Sequence, residues 1–456
     1  MREIGNTVLL KRFSVSNSYC FKDEVILDMT AKHNDNQHET KGQDDLNFDV
    51  SEMSKAVFDC HPNEGILPLA AIYGKNASGK TKLLYSLKDA IDDVLGSSFS
   101  EQASRFGRSS FQLEVERRRF AILSEGARNK TINYSFCLSM GSKEYTLKYA
   151  LGFDGVEQEN LSCIDFDEIN PQTKTIYDRT LGKINVEYSP DSDMTDKMSI
   201  VRGRDEKRLW FSLFVPTEEH LRPLHEWFRE AKKGMVLSEP DSIDGFQDLA
   251  RYLMNANKDS QVKSEREAWN FKETLLNSLK YIDDSISQVG AKSHIEGANL
   301  WIYHYRPSVE NGEKPIAPRI QHESRGTRAL IGLFSDIYHS IRYGLPLIVD
   351  EIDGSLHPVT FMSVVHMFNN PSINKKGAQL IFTAHDTIIL DTTILRRDEI
   401  HVVSKGRDSV SSINKLSSMN NVHRHSNLEY EYRTNVYDLY AGAKTKRKFF
   451  VLAGDK

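Results

Sequence analysis

The chain has 456 residues, 39% hydrophobic and 27% charged, with 59 Lys and Arg against 64 Asp and Glu for a formal charge of −5. That balance belongs to ordinary folded domains; it excludes disordered and collagen-like chains and a protein that coats nucleic acid by bulk positive charge, although a local basic groove stays open. No apolar run reaches the roughly 20 residues of a membrane-spanning helix and the N-terminal Met1 to Thr7 carries no signal-peptide pattern, so a soluble cytoplasmic chain without a membrane partner is expected.

Val8 to Val15 and Glu24 to Met29 read as two strands joined by a short turn, because apolar residues recur with period two. Residues 32–63 turn polar and read as a surface excursion. Leu67 to Tyr73 is an apolar strand ending at glycine, and Lys80 to Val94 follows helical spacing through Leu83, Leu84, Leu87 and Ile91. Alternating runs at Thr131 to Met140 and Tyr145 to Leu151, with turns marked by Gly141 and Gly155, predict an antiparallel lobe within Phe111 to Phe153. Between Thr217 and Leu279 the pattern becomes helical, with Leu221, Leu224, Trp227 and Phe228 on one stripe and a further helix around Glu265 to Leu279. It sustains too few heptads for a long coiled coil.

The last third alternates: strand near Leu300 to His304, helix Gly326 to Tyr343, strand Pro346 to Val349, helix Pro358 to Phe368, strands Ala378 to Thr383 and Glu399 to Val403. Alternation of this kind predicts an α/β fold with central parallel strands flanked by helices. The expected units are residues 1–215 with the antiparallel lobe and the 32–63 insertion, a helical insertion at 216–295, and a closing part at 296–456. Cys20, Cys60, Cys137 and Cys163 lack paired spacing and read as free thiols.

Gly74-Lys75-Asn76-Ala77-Ser78-Gly79-Lys80-Thr81 fits the phosphate-loop pattern and lies between a buried strand and a helix. Glycines let backbone N–H groups converge on phosphate oxygens, the helix start favours negative charge, Lys80 reaches the β and γ phosphates, and Thr81 offers a hydroxyl to Mg²⁺. Leu345 to Val349 is an apolar strand ending in Asp350 and Glu351, which read as the metal carboxylate and the carboxylate that polarises the attacking water. His385 follows the strand Gln379 to Thr383 at the edge where open α/β sheets bind ligands, placed to meet a γ-phosphate. Ser324, Gly326 and Thr327 open an amphipathic helix and, taken alone, read as its cap.

The order of phosphate loop, Ser324 to Thr327, Asp350-Glu351 and His385 resembles the ABC-class ATPases. More closely, Asp350 to Pro358, Ala384 to Asp391 and Leu395 to Ile400 resemble the SMC/OLD-like, AAA-type ATPases of bacterial anti-phage defence systems, relatives of the overcoming-lysogenisation-defect nucleases that include the AbiL, RloA, PtuA and AriA types. Phe13 to Glu24 is similar to the family's opening strands, with Ser18 and Tyr19 departing from it. The resemblance covers roughly residues 8–95 and 300–405 and implies an ABC-type ATPase head holding ATP and Mg²⁺. It implies a homodimer or higher oligomer in which Ser324, Gly326 and Thr327 of one copy face the nucleotide on Lys80 of another, with Ser355, Leu356 and His357 near the seam. Gln112 is the candidate for the family's Mg²⁺-binding glutamine.

Only residues 386–456 follow His385, so no nuclease domain is expected in this chain. The function implied is a sensor or switch that controls a separately encoded effector, a nuclease, with DNA or a phage protein as trigger. The alternative is an SMC-like ATPase of DNA repair or maintenance; a transporter-coupled subunit is the weakest reading. Arg117-Arg118-Arg119 and Lys444 to Lys448 read as solvated surface, with phosphate contact as the alternative.

Overall fold

The computed structural model describes residues 7–31, 57–61, 64–96, 114–115, 117–118, 131–180, 183–185, 208–237, 272–280, 285–294, 297–304, 323–354, 356–387, 390 and 394–419. The excursion at 32–63 falls mostly outside them, and Gln112, Arg119, Ser355 and Lys444 to Lys448 fall wholly outside.

The chain opens with β1 (Val8–Ser16) and β2 (Val25–Asp28), paired antiparallel as expected. Three short strands, β3 (Thr30–Ala31), β4 (Phe58–His61) and β5 (Glu64–Ile66), make a small antiparallel sheet. Then come β6 (Leu69–Tyr73) and helix α1 (Lys80–Val94). Five strands follow: β7 (Ile132–Met140), β8 (Lys143–Leu151), β9 (Val156–Asp165), β10 (Lys174–Thr180) and β11 (Lys183–Asn185). With β1 and β2 they form a seven-stranded antiparallel sheet in the order β11-β10-β9-β8-β7-β1-β2. The expected lobe is therefore larger than the 111–153 stretch, because β9 to β11 continue it and the first strand pairs with β7. β8 shows why these residues make a one-sided sheet: Tyr145, Leu147, Tyr149 and Leu151 are buried while Lys148, on the opposite face, is exposed.

Helices α2 (Trp210–Phe214) and α3 (Arg222–Lys233) lead to β12 (Met235–Val236). On α3 the buried Leu224, Trp227, Phe228 and Ala231 recur at i, i+3, i+4 and i+7, the inward stripe read from the sequence. Residues 272–280 are helical. Next are β13 (Ile286–His294), β14 (Gly297–His304), α4 (Arg325–Tyr343), β15 (Pro346–Val349), α5 (Pro358–Asn369), β16 (Gln379–Thr383), β17 (Ile400–Lys405) and β18 (Ser411–Lys415). One expectation is corrected: Leu300 to His304 belongs to β14, which pairs antiparallel with β13 in a separate hairpin and not with the parallel strands. Only two positions, 295–296, separate its strands, too short a link for the crossover a parallel neighbour needs.

The central sheet runs β12-β15-β16-β6-β17-β18, with β12, β15, β16, β6 and β17 parallel and β18 antiparallel at the edge. Its strands are buried on both faces, which explains their unbroken apolar runs. Ala70, Ile72, Ile348, Ile381 and Val403 join one core with α1, α2, α3 and the antiparallel sheet. Their neighbours Leu69, Ala71, Tyr73, Leu347, Val349, Leu380, Phe382, Ile400 and Val402 join a second core with α4, α5, the 272–280 helix and the β13-β14 hairpin. The mixed α/β architecture expected, a parallel core plus an antiparallel lobe, is thus the observed one.

Two polar devices tie the layers. At the bulge in β1, the buried Gln379 side chain accepts from the Leu10 amide at 2.7 Å and donates to the Leu10 carbonyl at 2.9 Å. Arg118 corrects a second expectation: it is 1% exposed and bonds both Asp93 oxygens at 2.8 Å, so it is neither solvated nor available to phosphate. Cys20, Cys137 and Cys163 are free thiols. Among the described residues no helix is long and apolar enough to cross a membrane.

Candidate nucleotide site

Because β6, β15 and β16 are parallel, the loops that leave them open on one edge of the sheet, where the ends of two strands draw together residues distant in sequence. A cavity of about 970 Å³ sits there, lined by Tyr19, Cys20, Asn76, Ala77, Ser78, Gly79, Lys80, Thr81, Lys82, Arg117, Glu351, His385 and Lys405. The phosphate-loop residues Asn76 to Thr81 supply nearly half of its wall; Gly74 stands just behind, at the end of β6.

The loop depends on its two glycines. A Cβ on Gly74 would lie 2.4 Å from the Val403 carbonyl oxygen, and one on Gly79 would lie 2.7 Å from Cys20 Sγ, with φ at Gly79 of +113°. Gly79 opens α1 with no side-chain cap and no acid in the first turn, so the N–H groups at this helix start are offered to the cavity. Ser78 Oγ is buried with no hydrogen-bond partner, the mark of a polar group awaiting a ligand. Lys80, 6% exposed, rests its ammonium on the Gly74 carbonyl at 2.8 Å and lies 3.4 Å from His385 Nδ1. Burial lowers its pKa from the ordinary 10.5, against the opposing pull of Glu351, Asp350 and Asp353. Bare N–H groups, an orphaned hydroxyl and a lysine fit the phosphates of a nucleotide.

The acids follow β15. The Thr81 hydroxyl donates to Asp350 Oδ1 at 3.3 Å, so hydroxyl and carboxylate face one another across the spot a divalent cation would share. Among the described residues no cluster of three or more His, Cys, Asp or Glu could hold a metal alone. Glu351 has a left-handed backbone (φ 49°), and its Oε1 lies 3.4 Å from His385 Nε2. Both side chains are largely open to the cavity, at 58% and 41% exposed.

Residues that the sequence reading passed over hold these groups in place. The fully buried Thr383 donates to Asp350 Oδ1 at 2.5 Å and accepts from the Glu351 amide at 2.7 Å, so one hydroxyl orients both acids. Asp353 accepts from the amides of His385, at 2.6 Å, and Asp386. Tyr19 is fixed by Asp89 at 2.5 Å and Arg117 at 2.8 Å, with the Lys82 ammonium 5.0 Å from its ring centroid. No motif marks Lys405; Arg117 comes from the arginine run that reads as surface or phosphate contact, and Tyr19 from between the opening strands, and all three reach the cavity through tertiary folding.

Residues 203–391 match the family model described as "AAA domain, putative AbiEii toxin, Type IV TA system". Among solved structures, the SMC head domain from Thermotoga maritima is similar at a TM-score of 0.37 and 14% identity, covering 89% of this chain and 98% of that one. The structure of the recombination mediator protein RecF-ATP in the RecFOR pathway is similar at a TM-score of 0.29 and 11% identity, covering 91% and 100%. No curated protein matches the chain.

The matched span includes Ser324 to Thr327, Asp350, Glu351 and His385, and leaves the phosphate loop outside it. Ser324 caps α4 by accepting from the Thr327 amide at 3.1 Å, and the two hydroxyls lie 2.8 Å apart. The left-handed Gly344 turns the chain directly from α4 into β15. At the start of α4, Ser324 is exposed, Gly326 half-buried and Thr327 3% exposed. Ser324, Gly326 and Thr327 are absent from the described lining of their own chain's cavity. Beyond the acids, Leu356 is 6% exposed in the core and His357 caps α5 by accepting from the Val359 amide.

Proposed function

We propose that this chain is an ATP-hydrolysing switch of the ABC class, acting in the bacterial cytoplasm as part of an anti-phage defence assembly. One observation carries the reading: Lys80, Thr81, Asp350, Glu351 and His385, from three separate stretches of sequence, meet around one cavity at the edge of a parallel sheet. Lys80 and the α1 amides hold the β and γ phosphates. Thr81 and Asp350 would hold Mg²⁺, which when bound would neutralise charge on the phosphoryl oxygens. Glu351 orients a water on the γ-phosphorus and takes its proton as the P–O bond to ADP breaks, while His385 contacts the γ-phosphate.

Ser324, Gly326 and Thr327, at the start of α4 and outside the described lining of their own chain's cavity, suit the nucleotide of a second copy, so closure needs a homodimer or higher oligomer. The opened or closed state then holds or releases a separately encoded effector, a nuclease; the toxin and type IV TA system named in the matched family's description agree with such a two-part arrangement. Phosphate release should be measured for wild type, Lys80→Ala and Glu351→Gln. Both variants should lose hydrolysis, with Glu351→Gln still binding ATP and trapped as the closed oligomer. Equal rates in all three would overturn the proposal, and strong stimulation by duplex DNA alone would favour a DNA-maintenance ATPase.

A further inference from the structure

Ser411, the first residue of β18, lies 333 positions from the phosphate loop in sequence yet touches it. Its hydroxyl donates to the Ser78 carbonyl at 2.7 Å in a buried contact, and its own amide donates to the Cys20 carbonyl at 2.8 Å. The side chain is 2% exposed, and its Oγ would lie 3.1 Å from a Cβ on Gly79. The direction of that bond matters because of peptide planarity. In a trans peptide the C=O of one residue and the N–H of the next point in opposite senses, and this chain has no cis bond among its described residues. Pulling the Ser78 carbonyl outward toward β18 therefore turns the Gly79 N–H inward, toward the cavity.

Gly79 is the residue least able to hold that orientation by itself. It has no Cβ and sits at φ +113°, where glycine moves freely. Within the loop, the Ser78 amide is spent on the Lys75 carbonyl and the Gly79 carbonyl on the Leu83 amide. The peptide between them is steered from outside, by Ser411.

We infer that Ser411 is a positioning residue for nucleotide binding: its hydroxyl presets the Ser78–Gly79 peptide so that the Gly79 N–H faces a phosphate oxygen. The inference rests on the nucleotide reading of this cavity. Binding of Mg-ATP and of Mg-ADP should be titrated by calorimetry in wild type, Ser411→Ala, and the near-isosteric pair Ser411→Thr and Ser411→Val. Each protein's thermal midpoint should be recorded without nucleotide.

Ser411→Ala and Ser411→Val should bind about tenfold more weakly, the scale of one lost hydrogen bond. Ser411→Thr, which keeps the hydroxyl, should restore most of the affinity. The catalytic constant at saturation should change less than KM. Wild-type affinity in folded Ser411→Ala or Ser411→Val, or equal loss in Thr and Val, overturns the inference. If Ser411→Ala does not fold, the Thr and Val comparison decides. Failure of folded wild type to bind either nucleotide would instead overturn the reading of the cavity itself.

Discussion

Thr383 joins two acids that have different tasks. It gives its proton to Asp350 Oδ1 and receives the Glu351 amide, at a residue whose φ of 49° is costly for a side chain with a Cβ. Replacing Thr383 with Val keeps the shape and removes both bonds, leaving the Glu351 amide without its partner and Asp350 Oδ1 with the Thr81 hydroxyl alone. The expected cost is about 1–3 kcal/mol in stability by urea unfolding. Hydrolysis should fall more steeply than ATP affinity, because the phosphate contacts of Lys80 and α1 are untouched. Unchanged phosphate release in the Val variant would show that Glu351 holds its geometry without this hydroxyl. His401, on β17, is the other residue with a clear forecast. It is fully buried, its Nε2 donates to the Asp28 carbonyl at 3.0 Å, and burial lowers its pKa from 6.5 to about 4. The folded value lies below the unfolded one, so between pH 6.5 and about 4 the unfolded chain takes up a proton that the folded chain refuses. Stability from this group is present above pH 6.5 and drains away as pH falls, at no more than about 1.4 kcal/mol per pH unit for one proton. Denaturation of wild type and His401→Asn at pH 7.5, 6 and 5 should show a shallower acid slope in the variant.

At the scale of elements, α1 is held at both ends. Its start forms the phosphate loop, while its last turns carry Asp89 and Asp93, which bind the buried Arg118; Tyr149 also reaches Asp93, at 3.3 Å. Arg118→Met would take the guanidinium from the buried Asp93, while Asp89 keeps Arg117 at 3.1 Å, and should destabilise the protein by about 3 kcal/mol. The double variant Arg118→Met with Asp93→Leu should recover part of the loss, a coupling that chemical denaturation of the cycle can measure. Additive losses would mean the pair acts separately. The same element shows why Arg118 was misread: three successive arginines look like surface, and only the folded chain sets two helix acids against the middle one. Helices and apolar strands of the sheet were legible because both carry a period, 3.6 on α3 and α4 and a continuous buried run on β6, β15 and β16. The β13-β14 hairpin was read only in part, since the stretch around it looks helical in pattern.

Across the whole molecule, the sequence disclosed the residues that meet at the cavity and hid most of those that position them. Lys80, Thr81, Asp350, Glu351 and His385 stand in motifs whose spacing follows from strand, loop and helix, so the sheet edge that gathers them was foreseeable. Tyr19, Lys405, Thr383 and Ser411 have ordinary neighbours, and their use depends on which strands lie side by side. The sheet order makes that dependence severe. β6, which carries the phosphate loop, is flanked by β16 and β17, both encoded some 300 residues later. During synthesis the loop strand therefore emerges with both edges bare and waits for most of the message to be translated before it can be paired. At roughly 5–20 residues per second that delay is on the order of tens of seconds, a window in which a chaperone or the antiparallel lobe must shield it. A ribosome-stalled chain ending before residue 379 should consequently display a sticky, nucleotide-blind intermediate.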